Sequence, residues 1–156
     1  MLHLYRHAEN KTLFWQMSEK NKAVTVIQSG ELGKVGSYEE IATNLIAKIL
    51  KKKEKEGYEE PHESEWQALI LDYGRVYEED LRGLDAKMER LKNDVGKVFR
   101  DRGLGSDIYV SGLLGEELEV MCAVFDCHMA KEIIESFIGS SHIGRYEGLH
   151  LSESFK

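Results

Sequence analysis

The amino-acid sequence predicts an α+β protein of two domains, and three observations carry this prediction. Short runs that alternate apolar and polar residues, or that contain several aromatic residues, fill the start of the chain, as in an antiparallel sheet. Later segments repeat apolar residues at three- and four-residue steps, which is typical of amphipathic helices. The only proline, Pro61, lies in an acidic stretch without apolar periodicity, which is typical of a domain boundary.

This boundary predicts a first domain over residues 1–58, a linker over residues 59–67 and a second domain over residues 68–156. The 156 residues carry a net charge of −7. Residues 1–60 hold ten basic and nine acidic side chains, whereas residues 61–156 hold 11 and 19. The acidity therefore belongs to the second domain. It argues against a protein whose whole surface follows nucleic acid, because phosphate binding needs a local excess of cations.

The cellular compartment is predicted from the apolar runs, the first residues and the cysteines of the sequence. No run approaches ~18 consecutive apolar residues, so we expect no membrane span. The first residues lack the charged, apolar and small-residue regions of a signal peptide. Only Cys122 and Cys127 are present, which predicts reduced thiols rather than a disulfide framework. We therefore expect a cytoplasmic protein.

The first domain is predicted to contain an antiparallel sheet followed by a helix. Its strands are expected at Leu2 to Arg6, Leu13 to Met17 and Ala23 to Gln28. A glycine-rich turn from Gly30 to Gly36 follows. Ser37, with Glu40 three residues later, matches a capping box and predicts that the helix starts there. The helix is expected to end at Gly57, after a lysine-rich last part.

The second domain is predicted to alternate strands and helices. Strands are expected at Ala68 to Leu71, Asp107 to Ser111, Leu118 to Phe125 and Tyr146 to Leu151. A long helix is expected from Glu78 to Arg102, and Asp126 is a predicted N-cap for a further helix. The resulting β-α-β-β-α-β order predicts a ferredoxin-like, split β-α-β domain.

Residues 1 to about 60 resemble a known family. Asn10 and Lys11 precede the aromatic strand, the turn Ser29–Gly36 spaces three glycines, and the helix ends in a lysine run closed by Gly57–Tyr58. In this order the features resemble the WGR domain, a sheet-plus-helix module of poly(ADP-ribose) polymerases and bacterial regulator-like proteins. Ser29 stands where the family has tryptophan. Glu31 stands where it has arginine, and the short stretch after Gly36 implies that one strand is missing.

The resemblance also indicates what the first domain binds. In family members that bind DNA, the tryptophan stacks near a strand end and the arginine meets a phosphate. Ser29 offers no aromatic face and Glu31 would repel phosphate, so we expect nucleic-acid binding to be weak or absent. The residues by which this domain would contact a partner are Lys11, Phe14, Trp15, Ser29, Gly30, Glu31, Gly33 and Lys34.

No motif of the sequence predicts catalysis, a metal or a cofactor. The glycine-rich turn has Val35 where a phosphate-binding loop needs a hydroxyl residue after lysine. Cys122, Cys127 and His128 lack the second cysteine pair that structural zinc sites use. Cys122 fits a buried strand position. Cys127 is either a buried, inert thiol or a redox-sensitive one at a helix start.

The acidic residues Glu116, Glu117 and Glu119 flank the hairpin before the strand that starts at Leu118. They form either an acidic face for a basic partner or an ordinary solvated surface.

The sequence therefore favours a non-catalytic binding or regulatory protein with a protein partner, and a homodimer is an option because sheet edges stay open. Three alternatives stay open. The chain could bind nucleic acid through the lysine-rich helix end at Lys48 and Lys51 to Lys55. Its second domain could be a small enzyme or a ligand-binding domain with a pocket lined by Cys122, Tyr109 or His128. It could also be an acidic bacterial immunity-type protein that neutralises a toxin.

Overall fold

The computed structural model describes residues 1–75, 77–78, 83–105, 107–111, 115, 117–138 and 150–154. Its sheets and helices confirm the predicted α+β class. The chain forms two compact units. The first contains Met1–Glu63 together with Asp101–Gly103, and the second contains Ser64–Arg100 and Leu104–Lys156. The described helices include none that is long and apolar enough to cross a membrane.

The first unit is a four-stranded antiparallel sheet followed by a helix. The strands lie in sequence order and are β1 (Leu2–His7), β2 (Thr12–Glu19), β3 (Val24–Glu31) and β4 (Ser37–Ala42). A 3-10 turn over Thr43–Leu45 leads into the helix α1 (Ile46–Lys55). Backbone amides of Gly57 and Tyr58 close its last turn on the carbonyls of Glu54 and Lys53.

The predicted helix start at Ser37 is wrong, and so is the implied missing strand. Residues 37–42 form β4, which pairs along β3 from Ser29 opposite Ser37 to Val24 opposite Ala42. The Ser37 hydroxyl donates to the carbonyl oxygen of Ser29 at 3.2 Å instead of capping a helix. Pairing with the open edge of β3 outweighs the local capping signal, because each paired residue satisfies backbone groups that a helix start would leave unbonded.

Both faces of the first sheet are covered. One face packs against α1 through Leu4, Trp15, Ile27 and Ile46. The other face carries buried residues of mixed polarity: Tyr5, Phe14, Gln16 and Gln28. Consecutive residues 14–16 of β2 are all buried for this reason, since successive side chains of a strand point to opposite faces.

The second unit is a sheet with two helices between its strands. In chain order it contains β5 (Gln67–Arg75), α2 (Leu84–Arg100), β6 (Asp107–Ser111), β7 (Glu117–Val124), α3 (Cys127–Ile138) and β8 (His150–Ser154). The element order is the predicted β-α-β-β-α-β order. In the sheet the strands run β6-β7-β5-β8, and every neighbouring pair is antiparallel. Most of the strand predicted at Tyr146 to Leu151 lies outside the described residues.

The inner face of the second sheet forms the core of this unit. Along β7 buried and exposed residues alternate, which places four apolar side chains inward: Leu118, Val120, Cys122 and Val124. Leu69 and Leu71 of β5 are fully buried. So are three helix residues, Leu91 and Val95 of α2 and Ile134 of α3. The same alternation determines which side chains point outward, and the strand register determines which of them lie side by side on the outer face of the second sheet.

Candidate functional site

The glycine-rich turn of the first unit is packed around Phe14. A Cβ added at Gly36 would lie 2.5 Å from the Ser29 carbonyl oxygen and 2.6 Å from Phe14 Cζ. A Cβ at Gly30 would lie 3.1 Å from the Gly36 Cα. Gly33 has a φ of 90°, which favours glycine. Close packing and backbone conformation thus account for all three glycines without a ligand.

The backbone amides of this turn already have partners in the same unit. Gly33 N–H donates to the Arg102 carbonyl at 3.0 Å, and Gly36 N–H donates to the Asp101 carbonyl at 2.9 Å. Both carbonyls belong to the 101–103 segment, formed by Asp101, Arg102 and Gly103. These two amides are therefore not available to a phosphate.

Gly103 completes the packing of the 101–103 segment. A Cβ at Gly103 would lie 2.1 Å from Phe14 Cγ, so only glycine leaves room for the ring. The Tyr5 hydroxyl donates to the Gly103 carbonyl at 2.5 Å. Burial raises the pKa of Tyr5 above its ordinary value, so the hydroxyl stays protonated and keeps this bond.

A chain of polar side chains crosses the first sheet to the 101–103 segment. His3 Nδ1 lies 3.2 Å from Gln16 Oε1, and Gln16 Nε2 donates to Gln28 Oε1 at 3.1 Å. Gln28 Nε2 in turn donates to Asp101 Oδ1 at 3.0 Å. Sequence reasoning missed both glutamines. The sequence placed both in strands, but only the structure shows that they lie opposite each other and are buried, so that each must satisfy the other.

The predicted contact residues of the first unit are divided between interior and surface. Phe14 and Trp15 are 1% and 2% exposed, so neither ring faces a partner. Glu31 forms an ion pair with Lys34 at 3.0 Å. Lys11 is exposed, while Ser29, Gly30 and Gly33 are half-buried. The structure therefore brings Glu31 and Lys34 together at the turn and places the two aromatic rings in the core.

The outer face of the second sheet carries an apolar row across three strands. Tyr109 of β6 pairs with Met121 of β7, which pairs with Ile70 of β5. Tyr109 is 56% exposed and Met121 is 41% exposed. Exposed aromatic and methionine side chains side by side are typical of protein contact surfaces.

Three carboxylates adjoin this apolar row. Glu119 of β7 pairs with Asp72 of β5, and Glu117 lies two residues before Glu119 on the same side of the strand. One carboxylate oxygen from each of the three lies within 4.8 Å of the others. Two of the predicted acidic residues, Glu117 and Glu119, are thus joined by Asp72, which the sequence analysis did not single out. The third, Glu116, lies outside the described residues.

Both cysteines are buried thiols. Burial raises the pKa of Cys122 to about 12, and its predicted place in the core is confirmed. Cys127 lies in the first turn of α3, where its thiol donates to the Ala68 carbonyl at 3.2 Å. The predicted N-cap is also confirmed, since Asp126 Oδ1 accepts from Met129 N–H at 2.9 Å. Of the two roles open for Cys127, the structure favours the buried thiol.

A groove of about 620 Å³ lies in the second unit between α2 and the edge strand β6. Its α2 side is lined by Glu89, Lys92, Asn93, Gly96, Lys97 and Arg100, and its β6 side by Asp107, Ile108 and Tyr109. Tyr109 was one of three residues expected to line a pocket in this domain. The other two, Cys122 and His128, do not line this groove.

The lysine-rich end of α1 is mostly exposed. Lys48, Lys51, Lys52 and Lys55 point into solvent. Lys53 differs, because its Nζ lies 3.1 Å from Glu56 Oε2 and 5.4 Å from the centroid of the Tyr58 ring. These contacts hold Lys53 at the C-terminal end of α1, so it is a less open cation than the other four lysines.

Comparison with known proteins identifies no relative, so a function has to be inferred from the geometry of the described residues. The chain matches no protein-family model, no curated protein and no solved structure. The resemblance of residues 1 to about 60 to the WGR domain accordingly stays a prediction.

Proposed function

We propose that this chain is a non-catalytic protein-binding protein whose second unit docks a basic, amphipathic partner on the outer face of its sheet. One observation carries the proposal. One carboxylate oxygen from each of Asp72, Glu117 and Glu119 lies within 4.8 Å of the other two, directly beside the exposed Tyr109 and Met121. An apolar row bordered by concentrated negative charge is complementary to a partner segment with apolar anchors and neighbouring lysines or arginines.

The first unit supports a binding role without nucleic acid. We propose that it is a WGR-like module whose glycine turn has become structural, since two turn amides donate to the 101–103 segment and Glu31 is paired with Lys34. A four-stranded antiparallel sheet followed by a helix is compatible with such a module. A negative side chain at this turn disfavours phosphate.

The second unit is proposed to be ferredoxin-like, with support from its strand order and its β-α-β-β-α-β element order. We also propose that the protein has no enzymatic activity and works in the cytoplasm with its two cysteines reduced. Among the described residues, the groups with clearly shifted pKa values lie apart. Tyr5 and Cys122 are buried in different units, while Lys20 and Glu40 pair on the surface.

The experiment that tests this proposal places a photo-crosslinking residue at Met121 in the full chain, with Val35 as the matched exposed control. Val35 is 65% exposed and lies in the glycine turn of the first unit. We expect a basic protein to be crosslinked through position 121, less so as salt rises and not in a Glu119→Lys variant. Crosslinking through position 35 alone, or crosslinking at position 121 that Glu119→Lys leaves unchanged, would contradict the proposal.

Two alternative functions predict different experimental results. A basic toxin recovered as the crosslinked protein would identify the immunity-type role. Nucleic-acid binding through α1 would instead appear as a salt-sensitive shift of nicked or blunt duplexes that Lys51→Ala combined with Lys52→Ala removes. Such a shift, without crosslinking at position 121, would favour the nucleic-acid alternative over a protein partner.

A further inference from the structure

We infer that this protein forms a homodimer in which the β6 strands of two copies pair antiparallel and join their four-stranded sheets into one of eight strands. Among the described strands, β6 pairs with β7 alone and lies at the end of the order β6-β7-β5-β8. The inference goes beyond the proposed function and does not rest on it. The chain carries a net charge of −7, so a second copy is not the basic partner proposed above.

The groove between α2 and β6 shows that the backbone edge of β6 is accessible. Asp107, Ile108 and Tyr109 all line this groove of about 620 Å³. Successive side chains of a strand point to opposite faces. Tyr109 is exposed on the outer face, whereas Ile108 Cδ1 lies 3.4 Å from where a Cβ on Gly96 of α2 would be. The side that three consecutive residues share is therefore the backbone edge, where a second strand can form hydrogen bonds.

The register of the β6 pair follows from the two faces of the sheet. A two-fold axis perpendicular to the sheet must pass through a residue of β6 if outer face is to continue as outer face. With Tyr109 on this axis, all five residues of β6 are paired. Ile108 then lies opposite Val110 of the other copy, and Asp107 lies opposite Ser111. The five pairs contain no two like charges, so the strand is complementary to itself.

The same pairing brings exposed apolar surface together. Tyr109 begins the apolar row that continues through Met121 and Ile70, and its side chain is 56% exposed. On the two-fold axis Tyr109 lies beside Tyr109 of the other copy, so the rows of the two copies become one. Aromatic pairs on neighbouring strands stabilise β-sheets. The edge therefore offers a second copy both backbone hydrogen bonds and an aromatic contact.

The other described sheet edges fit a second copy less well. On β1, the Tyr5 backbone amide and carbonyl are already bonded to the segment that follows α1. On β4, a register centred on Glu39 or Glu40 places that glutamate against its own copy. On β8, the centred register places Leu151 opposite Glu153. Among the described edges, β6 alone combines a complete register with compatible residue types.

The inference is tested by sedimentation equilibrium of the full-length protein. Because the paired edge is short, we expect a dimer that dissociates in the micromolar range, seen between about 1 and 500 μM. Tyr109→Lys places two ammonium groups side by side and should weaken the dimer at least about tenfold. Met121→Lys is the matched control, because it adds the same charge to the same face one strand away from the edge. It should leave the dissociation constant within about twofold of the original.

Two cysteine variants test the register independently. Residues directly opposite each other on antiparallel strands have Cα atoms about 4.5–5.5 Å apart, which is within disulfide range. Tyr109→Cys should therefore give a covalent dimer in oxidised glutathione. Met121→Cys should not, because three strand spacings, about 14 Å, separate this position from its copy.

Three results would overturn the inference. They are a protein that stays monomeric at about 500 μM, equal dissociation constants for the two lysine variants, and equal covalent dimer from the two cysteine variants. None of them bears on whether a basic protein is photo-crosslinked through position 121. The homodimer and the proposed function can therefore fail independently.

Discussion

The glycine turn of the first unit and the outer face of the second sheet differ in where their interactions go. At the turn, the amides of Gly33 and Gly36 donate to carbonyls of the 101–103 segment, and Glu31 pairs with Lys34. On the outer face, Tyr109 and Met121 are 56% and 41% exposed. The turn satisfies its polar groups within its own unit. The outer face leaves apolar surface in contact with water.

The difference teaches how a glycine pattern should be interpreted. Glycines at a turn are needed wherever backbone and ring approach closely, as Gly36 and Gly103 approach Phe14, and this need is independent of any ligand. The side chains between them decide what the turn can bind. A sequence can therefore keep the spacing of a binding motif while the surface that contacts partners lies in another part of the chain.

The largest effect is expected at the packed side of this comparison. Gly103→Ala should destabilise the protein by about 3 kcal/mol or more, because the new Cβ would lie 2.1 Å from Phe14 Cγ at a φ of 74°. Chemical denaturation measures the loss. Gly83→Ala is the control, since Gly83 has a φ of 75° and no neighbour within 4 Å of an added Cβ. It should cost only about 1 kcal/mol. Equal losses would mean that the ring and the 101–103 segment do not meet.

The core of the second unit should lose stability in alkali. The pKa of Cys122 is raised from 9.0 to about 12 by burial, so the folded state holds the thiol proton while the unfolded state releases it. The stabilisation is complete below pH 9 and should fall by about 1.4 kcal/mol per pH unit as pH rises from 9 towards 12. Urea unfolding at pH 8, 9 and about 10 measures the slope. Cys122→Val should flatten it, and an unchanged slope in this variant would contradict the prediction.

A smaller effect is expected from the polar chain across the first sheet. Asp101→Ala removes the acceptor of Gln28 Nε2, which leaves a mostly buried amide with one partner fewer, and should cost about 1 kcal/mol. Thermal unfolding gives the difference. Asp101→Asn is the conservative comparison, because its amide oxygen can still accept this bond and should recover most of the loss. Identical losses in the two variants would show that the Gln28 contact contributes nothing.

The smallest effect is expected at the position that departs from the WGR pattern. Glu31→Gln removes only a surface ion pair to Lys34, whose side chain is 74% exposed, and should change stability by less than about 0.5 kcal/mol. The same variant should not gain duplex binding in a gel shift, since Gly33 and Gly36 amides stay bonded to the 101–103 segment. A salt-sensitive complex formed by Glu31→Gln would show that charge alone keeps nucleic acid away.

Local patterns predicted the class, most strands and the element order of the second unit, because alternation and helical spacing are properties of neighbouring residues. They failed at Ser37, where a capping signal was overruled by pairing with β3. They also could not reveal that Asp72 joins Glu119, since strand register brings together residues 47 positions apart. Nor could they reveal the contact of Gly103 with Phe14, because it depends on the approach of residues far apart in the sequence.

The 101–103 segment also determines how the chain can be divided. The backbone passes from the first unit to the second after Glu63, returns at Asp101 and leaves again after Gly103. Cleavage in the acidic stretch around Pro61 therefore does not yield a complete first unit. A fragment of residues 1–63 would expose the Phe14 ring and lose the acceptor of the Tyr5 hydroxyl. Domain-deletion experiments on this protein should keep residues 101–103 with the first unit, for example through a short linker, if the fragment is to fold.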